Sequence, residues 1–179
     1  MLSRRTLVWT SMAAGLMAGL AGLASSADRR GENTGWRPIS WPFPRDGWPD
    51  GRAWRGAGGT EVYLRPKLGF CGNCDTGVVA DEEVDRVTDI DLLDERFAAV
   101  RAGAPVRIAT LSGRARLYRL KAKDGTPRLA EAIAVSRKCD LVVAIVVGNV
   151  ADEPTRHAAH RFLESDTVQV WLAQQLEGR

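Results

Sequence analysis

The chain has 179 residues, a formal net charge of +3 and 45% hydrophobic residues. This length fits one domain with a hydrophobic core of its own. Of the 25 basic residues only Arg4 and Arg5 precede position 28, so the rest of the chain carries 23 basic and 22 acidic residues, a net charge of +1. Since that part contains no basic run, we expect no nucleic-acid partner.

Residues 1–27 have the layout of a bacterial export signal. The pair Arg4-Arg5 precedes an uncharged apolar stretch over residues 7–24, which ends in small residues before Asp28. The arginine pair resembles the twin-arginine export pattern. A Sec signal and an uncleaved membrane anchor are the alternatives. We expect a periplasmic protein, exported by the twin-arginine route, with no membrane span after the signal is cleaved.

Residues 28–59 are rich in proline, glycine, arginine and tryptophan. Prolines at this density disfavour helix and central strand, so we predict an extended, irregular arm. The arm is a strap that lays its indole rings over the domain, a docking segment for a protein partner, or an aromatic platform for a ligand. The candidate partner-binding residues are Trp36, Trp41, Trp48 and Trp54.

Residues 60–179 predict a single α+β domain, in which an antiparallel β-meander packs against C-terminal helices. The first strand covers 61–65 and is expected to stop at Pro66. A hairpin is predicted from strands 106–111 and 115–120, joined by a loop at Ser112-Gly113-Arg114.

Residues 129–138 fit either a helix or a strand, and we favour a strand of the meander. A buried strand over 141–147 follows. Of the two closing helices, the first begins near Pro154 and the second is capped by Asp166 and carries Trp171 on its inner face.

The stretch between the first strand and the hairpin is acidic. Asp81 is predicted to cap a short helix with Val84 and Val87 on one face. We predict a strand over 88–93 and a helical turn over 94–101. Because the acidic residues lack the alternating ligands of a calcium-binding EF-hand loop, a solvated face is expected here.

The motif Cys71-Gly72-Asn73-Cys74 is the first candidate site. Two thiols at this spacing form a small-loop disulfide, bind metal or exchange disulfides. In an oxidising compartment we expect a structural disulfide between Cys71 and Cys74, and a buried free thiol at Cys139.

The surroundings of this motif carry further elements in a recognisable order. Strand 61–65 runs into the motif, a predicted acidic strand over 89–91 follows, and Pro105 precedes the hairpin strand 106–111. Over residues 60–120 this arrangement resembles a thioredoxin or glutaredoxin domain.

That resemblance implies a periplasmic thiol-disulfide oxidoreductase, in which Cys71 attacks and Cys74 resolves. The mechanism requires a helix that starts at the first cysteine and lowers the pKa of its thiol. Residues 75–79 are a poor helix sequence, and the negative charge of Asp75 opposes that effect.

The second candidate site contains the only two histidines, His157 and His160. Spaced i, i+3 on the predicted helix, they share one face. With Cys71 and Cys74 they complete a set of four ligands suited to Zn or Cu. Two surface histidines on a solvated face are the alternative.

The sequence thus leaves three functions, of which we favour a non-catalytic periplasmic accessory or binding protein that acts with a protein partner. The oxidoreductase is the alternative, and a metal-handling protein is the third.

Overall fold

The computed structural model describes residues 35–44, 47–69, 77–121 and 125–177. The predicted export signal and the motif with Cys71 and Cys74 lie outside these ranges.

The described residues form an α+β domain around one antiparallel sheet of eight strands, with four α-helices. The strands are β1 (Arg37–Ile39), β2 (Arg52–Arg55), β3 (Glu61–Lys67), β4 (Ala98–Ala99), β5 (Ala104–Ile108), β6 (Leu111–Lys121), β7 (Pro127–Arg137) and β8 (Asp140–Gly148). The helices are α1 (Asp81–Val87), α2 (Ile90–Leu93), α3 (Glu153–Leu163) and α4 (Asp166–Glu177). The order across the sheet is β1-β2-β3-β8-β7-β6, and both β4 and β5 pair with β6.

Both faces of the sheet are covered. One face packs against α3 and α4, which bury Phe162, Leu163 and Trp171 among others. The other face packs against α1, α2 and the N-terminal segment that contains Phe43. A strand covered on both sides has no solvent-facing positions, which explains the uninterrupted apolar run in β8, buried from 141 to 147.

The predicted irregular arm contributes two strands to this sheet, so the expectation that it is irregular throughout is wrong. β1 and β2 pair with each other, and β2 continues the sheet onto β3. Pro38 is tolerated because β1 is the edge strand. The N-terminal segment therefore shares its sheet with the predicted domain, and Trp54 of β2 is part of the core.

The hairpin of β5 and β6 is confirmed, but its loop is Ala109-Thr110, with Ala109 at φ 51°. Gly113, expected in the turn, lies inside β6. A Cβ atom there would be 2.0 Å from the carbonyl oxygen of Ala134, so glycine is required for close strand contact. The strand prediction for 129–138 is confirmed by β7.

Three other local predictions need correction. β3 continues through Pro66 to Lys67, because the pairing with β2 ends at Leu64 and only β8 pairs beyond it. Residues 88–93 are not a strand: Asp89 takes a left-handed conformation at φ 58°, and α2 follows. Residues 94–101 contain the short β4 in place of a helical turn.

The remaining helix predictions are confirmed. α1 buries Val84 and Val87, although the residue before the helix is Ala80 and Asp81 is its first residue. α3 and α4 begin next to Pro154 and at Asp166. In the described ranges, no helix has both the length and the apolarity needed to cross a membrane.

The strand pairs of the described sheet are antiparallel. A thioredoxin-like arrangement contains a βαβ unit with parallel strands. Residues 89–91, expected as its acidic strand, form the start of α2.

Candidate functional site

The turn between β7 and β8 carries a disulfide-bonded cysteine at the surface. Residues 137–140 form a tight turn in which Lys138 is left-handed at φ 56°. Cys139 is exposed and takes part in a disulfide. The expectation of a buried free thiol is therefore wrong on both points, because Cys139 lies in the turn and not in the buried strand. We call this turn, with segments 67–69 and 77–79, the Cys139 end.

The two residues that flank segment 70–76 both contact this hairpin. The backbone N–H of Gly69 donates a 2.7 Å hydrogen bond to Oδ1 of Asp140. Gly77, at φ 68°, lies so close to Ser136 that an added Cβ would be 2.3 Å from the hydroxyl oxygen. Gly69 and Gly77 therefore both lie against the hairpin whose turn contains Cys139.

A buried ion-pair cluster supports the Cys139 end from within. Oδ2 of Asp89 accepts from the Arg65 guanidinium at 2.6 and 3.1 Å, and Oδ1 accepts from Nζ of Lys67 at 2.6 Å. The side chains of Asp89, Arg65 and Lys67 are only 10%, 2% and 7% exposed. The rings of Trp41 and Trp48 lie near the two cations, at 5.7 and 5.8 Å, a favourable cation–π geometry. The cluster fixes the end of β3 to the start of α2.

A second group of ion pairs holds α1 on β6. Asp81 contacts Nε of Arg114 and accepts from the backbone N–H of Gly103 at 3.0 Å. The Arg114 contact and then the Gly103 contact lower the pKa of the Asp81 carboxyl. Arg116 donates to Asp85 at 2.6 Å. A solvated face is therefore the wrong description for these two carboxylates, since arginines of β6 face them.

The two tyrosines of the chain are buried hydrogen-bond donors. Tyr63 donates its hydroxyl to Glu61, and Tyr118 donates to Asp85. Burial and then the carboxylate partner raise the pKa of each phenol. Both hydroxyls therefore stay protonated at neutral pH and act as structural donors.

The two histidines of the predicted metal site differ in their surroundings. His157 is exposed, whereas Nε2 of His160 lies 2.6 Å from Oε2 of the buried Glu131. This contact ties α3 to the centre of β7 and occupies one ring nitrogen of His160. Among the described residues, no group of three or more His, Cys, Asp or Glu is placed to hold a metal ion. The four-ligand set for Zn or Cu needs Cys71 and Cys74, which lie outside those residues.

The tryptophans predicted to bind a partner pack on the domain. Trp54 is 4% exposed and contacts Phe162 and Trp171, so its ring is closed to a partner of the folded protein. Trp36 stacks on Phe162 with ring centroids 4.6 Å apart.

Trp41 and Trp48 are partly exposed, as Trp36 also is. Trp41 lies 4.7 Å from Phe43 and 6.4 Å from Tyr63, between ring centroids. Trp48 lies beside Lys67 at the Cys139 end. These contacts are those of a strap, and partner binding by the partly exposed rings stays a prediction.

Comparisons with known proteins leave the site to be interpreted from its own chemistry. No protein-family model matches the chain, and no curated protein matches it.

The arrangement at the Cys139 end combines covalent anchoring with an accessible surface. The exposed residues of this end include Lys138, Cys139 and Val79, the last with 58% of its surface accessible. A turn held by a disulfide, a hydrogen bond and a close glycine contact presents such residues in a fixed geometry. It is therefore suited to recognition of another protein or to thiol chemistry.

Proposed function

We propose that this chain is an exported periplasmic accessory protein that binds a protein partner through the Cys139 end. The observation that carries the proposal is the disulfide of Cys139 in an exposed turn against which both flanks of segment 70–76 lie. A turn held in this way loses little conformational freedom on binding, so more of the contact energy appears as affinity. Connecting segments on a rigid scaffold are the usual carriers of binding function.

The chemistry of the Cys139 end indicates what the partner supplies. Val79 offers an exposed apolar contact, and Trp48 presents an amphipathic ring next to Lys67. Lys138 adds an exposed positive charge. The proposed partner therefore has an apolar patch bordered by acidic residues.

Site-specific cross-linking tests the proposal. A photo-reactive amino acid is placed at Val79 or, as a matched control, at Val170 on α4, which is also 58% exposed. We expect the Val79 variant to give a discrete cross-linked protein in the periplasm and the Val170 variant to give none. Equal products at both positions, or none at Val79, would contradict docking at the Cys139 end.

Export is part of the proposal. It is supported by the arginine pair and apolar stretch of residues 1–27, and by the disulfide of Cys139, since disulfides persist in oxidising compartments. Replacing Arg4 and Arg5 by lysine should leave the protein in the cytoplasm. The same replacement would leave a Sec substrate in the periplasm, because Sec export requires only positive charge in this region.

The two-cysteine motif of the sequence and the exposed disulfide of Cys139 also support a second function, that of a thiol-disulfide oxidoreductase using Cys71 and Cys74. The reduction potential separates the two. A value below about −300 mV is typical of structural disulfides, whereas the periplasmic oxidant DsbA lies near −120 mV. We expect a value in the structural range, and a value near that of DsbA would favour the enzyme.

A further inference from the structure

One edge of the sheet is formed by β4 and β5, which follow each other along the chain. Both strands pair with β6, and among the described residues no strand pairs with their outer sides. All residues from 98 to 107 except Gly103 and Val106 are exposed. An unpaired edge of this kind offers its outward backbone groups to an extended segment of another chain.

Residues 100–103, between β4 and β5, form a bulge that is bonded from within the domain. These residues lie opposite only residues 116 and 117 of β6. The backbone N–H of Gly103 donates to both carboxylate oxygens of Asp81, at 3.0 and 3.1 Å, and its carbonyl oxygen accepts from Arg114 at 3.0 Å. Since a bulge interrupts regular pairing, β5 is the part of this edge that is open to strand addition.

The backbone groups of β5 that face outward are those of Pro105 and Arg107. The hairpin loop Ala109-Thr110 has two residues, so Ile108 and Leu111 flank it as a hydrogen-bonded pair. Successive residues of a strand direct their backbone groups to opposite sides, so the groups of the residue before Ile108 point away from β6. Pro105 fits this assignment, because its missing N–H then costs no hydrogen bond with β6.

The two faces of β5 carry different chemistry. Arg107 is exposed on one face, and within the described ranges its guanidinium forms no ion pair. Arg114, which lies opposite Pro105 on the same face, already binds Asp81. Val106 on the other face packs against the hydrophobic core. A strand added to β5 therefore meets a cation on one face and an apolar side chain on the other.

We propose that β5 is a docking edge for an extended segment of another protein, in which acidic and apolar residues alternate. The segment adds as an antiparallel strand. An acidic residue opposite Arg107 exchanges two backbone hydrogen bonds with it and pairs with its guanidinium, and the apolar residue opposite Val106 extends the apolar face. A second copy of this chain fits poorly, because its β5 brings the same arginine and the same proline. The edge contains no residue of the Cys139 end, so either proposal can fail without the other.

Binding of a fluorescein-labelled peptide, Glu-Val-Glu-Val-Glu, to the full chain tests the charge requirement. The peptide has the five-residue length of β5. We expect Arg107→Gln to raise its Kd about fivefold or more, because a charge-assisted contact is lost. Arg37→Gln is the matched control, since Arg37 is exposed on β1 at the opposite edge of the sheet, and it should leave the Kd unchanged. No binding to the wild type, or equal effects of the two variants, would overturn the proposal.

Methylation of the peptide backbone tests strand addition itself. In the proposed register the N–H groups of the glutamates point toward β5, and those of the valines point away from it. N-methylation of the glutamates should therefore abolish binding, whereas N-methylation of the valines should preserve it. Equal effects of the two modifications would show that charge alone holds the peptide and would overturn docking as a strand.

Sedimentation of the chain without peptide tests the other occupant of this edge. We expect no dimer that involves β5. A dimer that the peptide dissociates would assign the edge to a second copy of the chain and would overturn the proposal.

Discussion

Asp89 is the residue whose removal tests the internal support of the Cys139 end most sharply. Its carboxylate is shared by Arg65 and Lys67, and all three side chains are at most 10% exposed. Asn is the informative replacement, because it keeps the size of the side chain and tolerates the left-handed φ of 58° while removing the charge. Asp89→Asn therefore removes the buried carboxylate that Arg65 and Lys67 share.

The expected loss is large. Breaking a buried pair by removing one partner costs about 3–5 kcal/mol. With a shift of about 2–4 °C per kcal/mol for a chain of this size, the melting temperature should fall by roughly 6–20 °C.

The assay is urea denaturation of the full chain, with the melting temperature measured in parallel. Asp91→Asn is the matched control, since Asp91 lies in helix α2, which Asp89 precedes, and is exposed. We expect the control to stay within about 0.5 kcal/mol of the wild type. If Asp89→Asn also stays within that range, the cluster does not stabilise the fold and the reasoning is refuted.

Two further predictions concern β6 and its contacts. Gly113→Ala should destabilise the protein by about 1–3 kcal/mol, because its Cβ would lie 2.0 Å from the Ala134 carbonyl oxygen. Ser112→Ala, at the exposed neighbouring position, is the control and should change the stability little. Equal urea unfolding curves for the two variants would contradict this prediction. The Asp81 carboxyl, whose pKa is lowered chiefly by Arg114, contributes stability above its ordinary pKa of 3.8 and loses it as the pH falls below that value. The stability difference between wild type and Asp81→Asn should therefore shrink from pH 6 to pH 3 in urea denaturation, and a constant difference would contradict the linkage.

The sequence predicts the fold class and most elements, because the periodicity of hydrophobic residues and the signals for helix ends can be recognised within each short segment. The strand assigned to 129–138, the buried strand 141–147 and both closing helices follow from such signals. Gly113 shows where local reasoning fails. Glycine commonly indicates a turn because its backbone can adopt many conformations. Here the absence of a side chain instead allows close approach of the β7 backbone, which is distant in sequence.

The prediction of a solvated face for the acidic stretch fails for a related reason. Asp81, Asp85 and Asp89 are each paired with an arginine from a strand at least 24 residues away, and nothing within the stretch identifies those partners. From the sequence, Arg65 is predicted only as the last residue of a strand. The alternation of Tyr63, Arg65 and Lys67 on one face of β3 is the signal that two charges enter the interior.

The disulfide of Cys139 could not be found from spacing, because proximity in sequence favours the Cys71–Cys74 pair and does not indicate a bond at Cys139. The β7–β8 turn and the flanks at Gly69 and Gly77 meet only once the sheet has formed. Connectivity among cysteines is therefore a property of the fold and not of the motif.

The affinity of the cross-linked partner for wild type and for Cys139→Ser tests the central claim most directly. Without its disulfide, the turn 137–140 loses a covalent constraint, and ordering it on binding costs about 1–2 kcal/mol per residue newly fixed. We therefore predict that the Kd rises about tenfold or more in Cys139→Ser, which corresponds to about 1.4 kcal/mol, while the variant keeps a cooperative unfolding transition. An unchanged Kd in the folded variant would contradict the claim that the disulfide-held turn forms the binding surface.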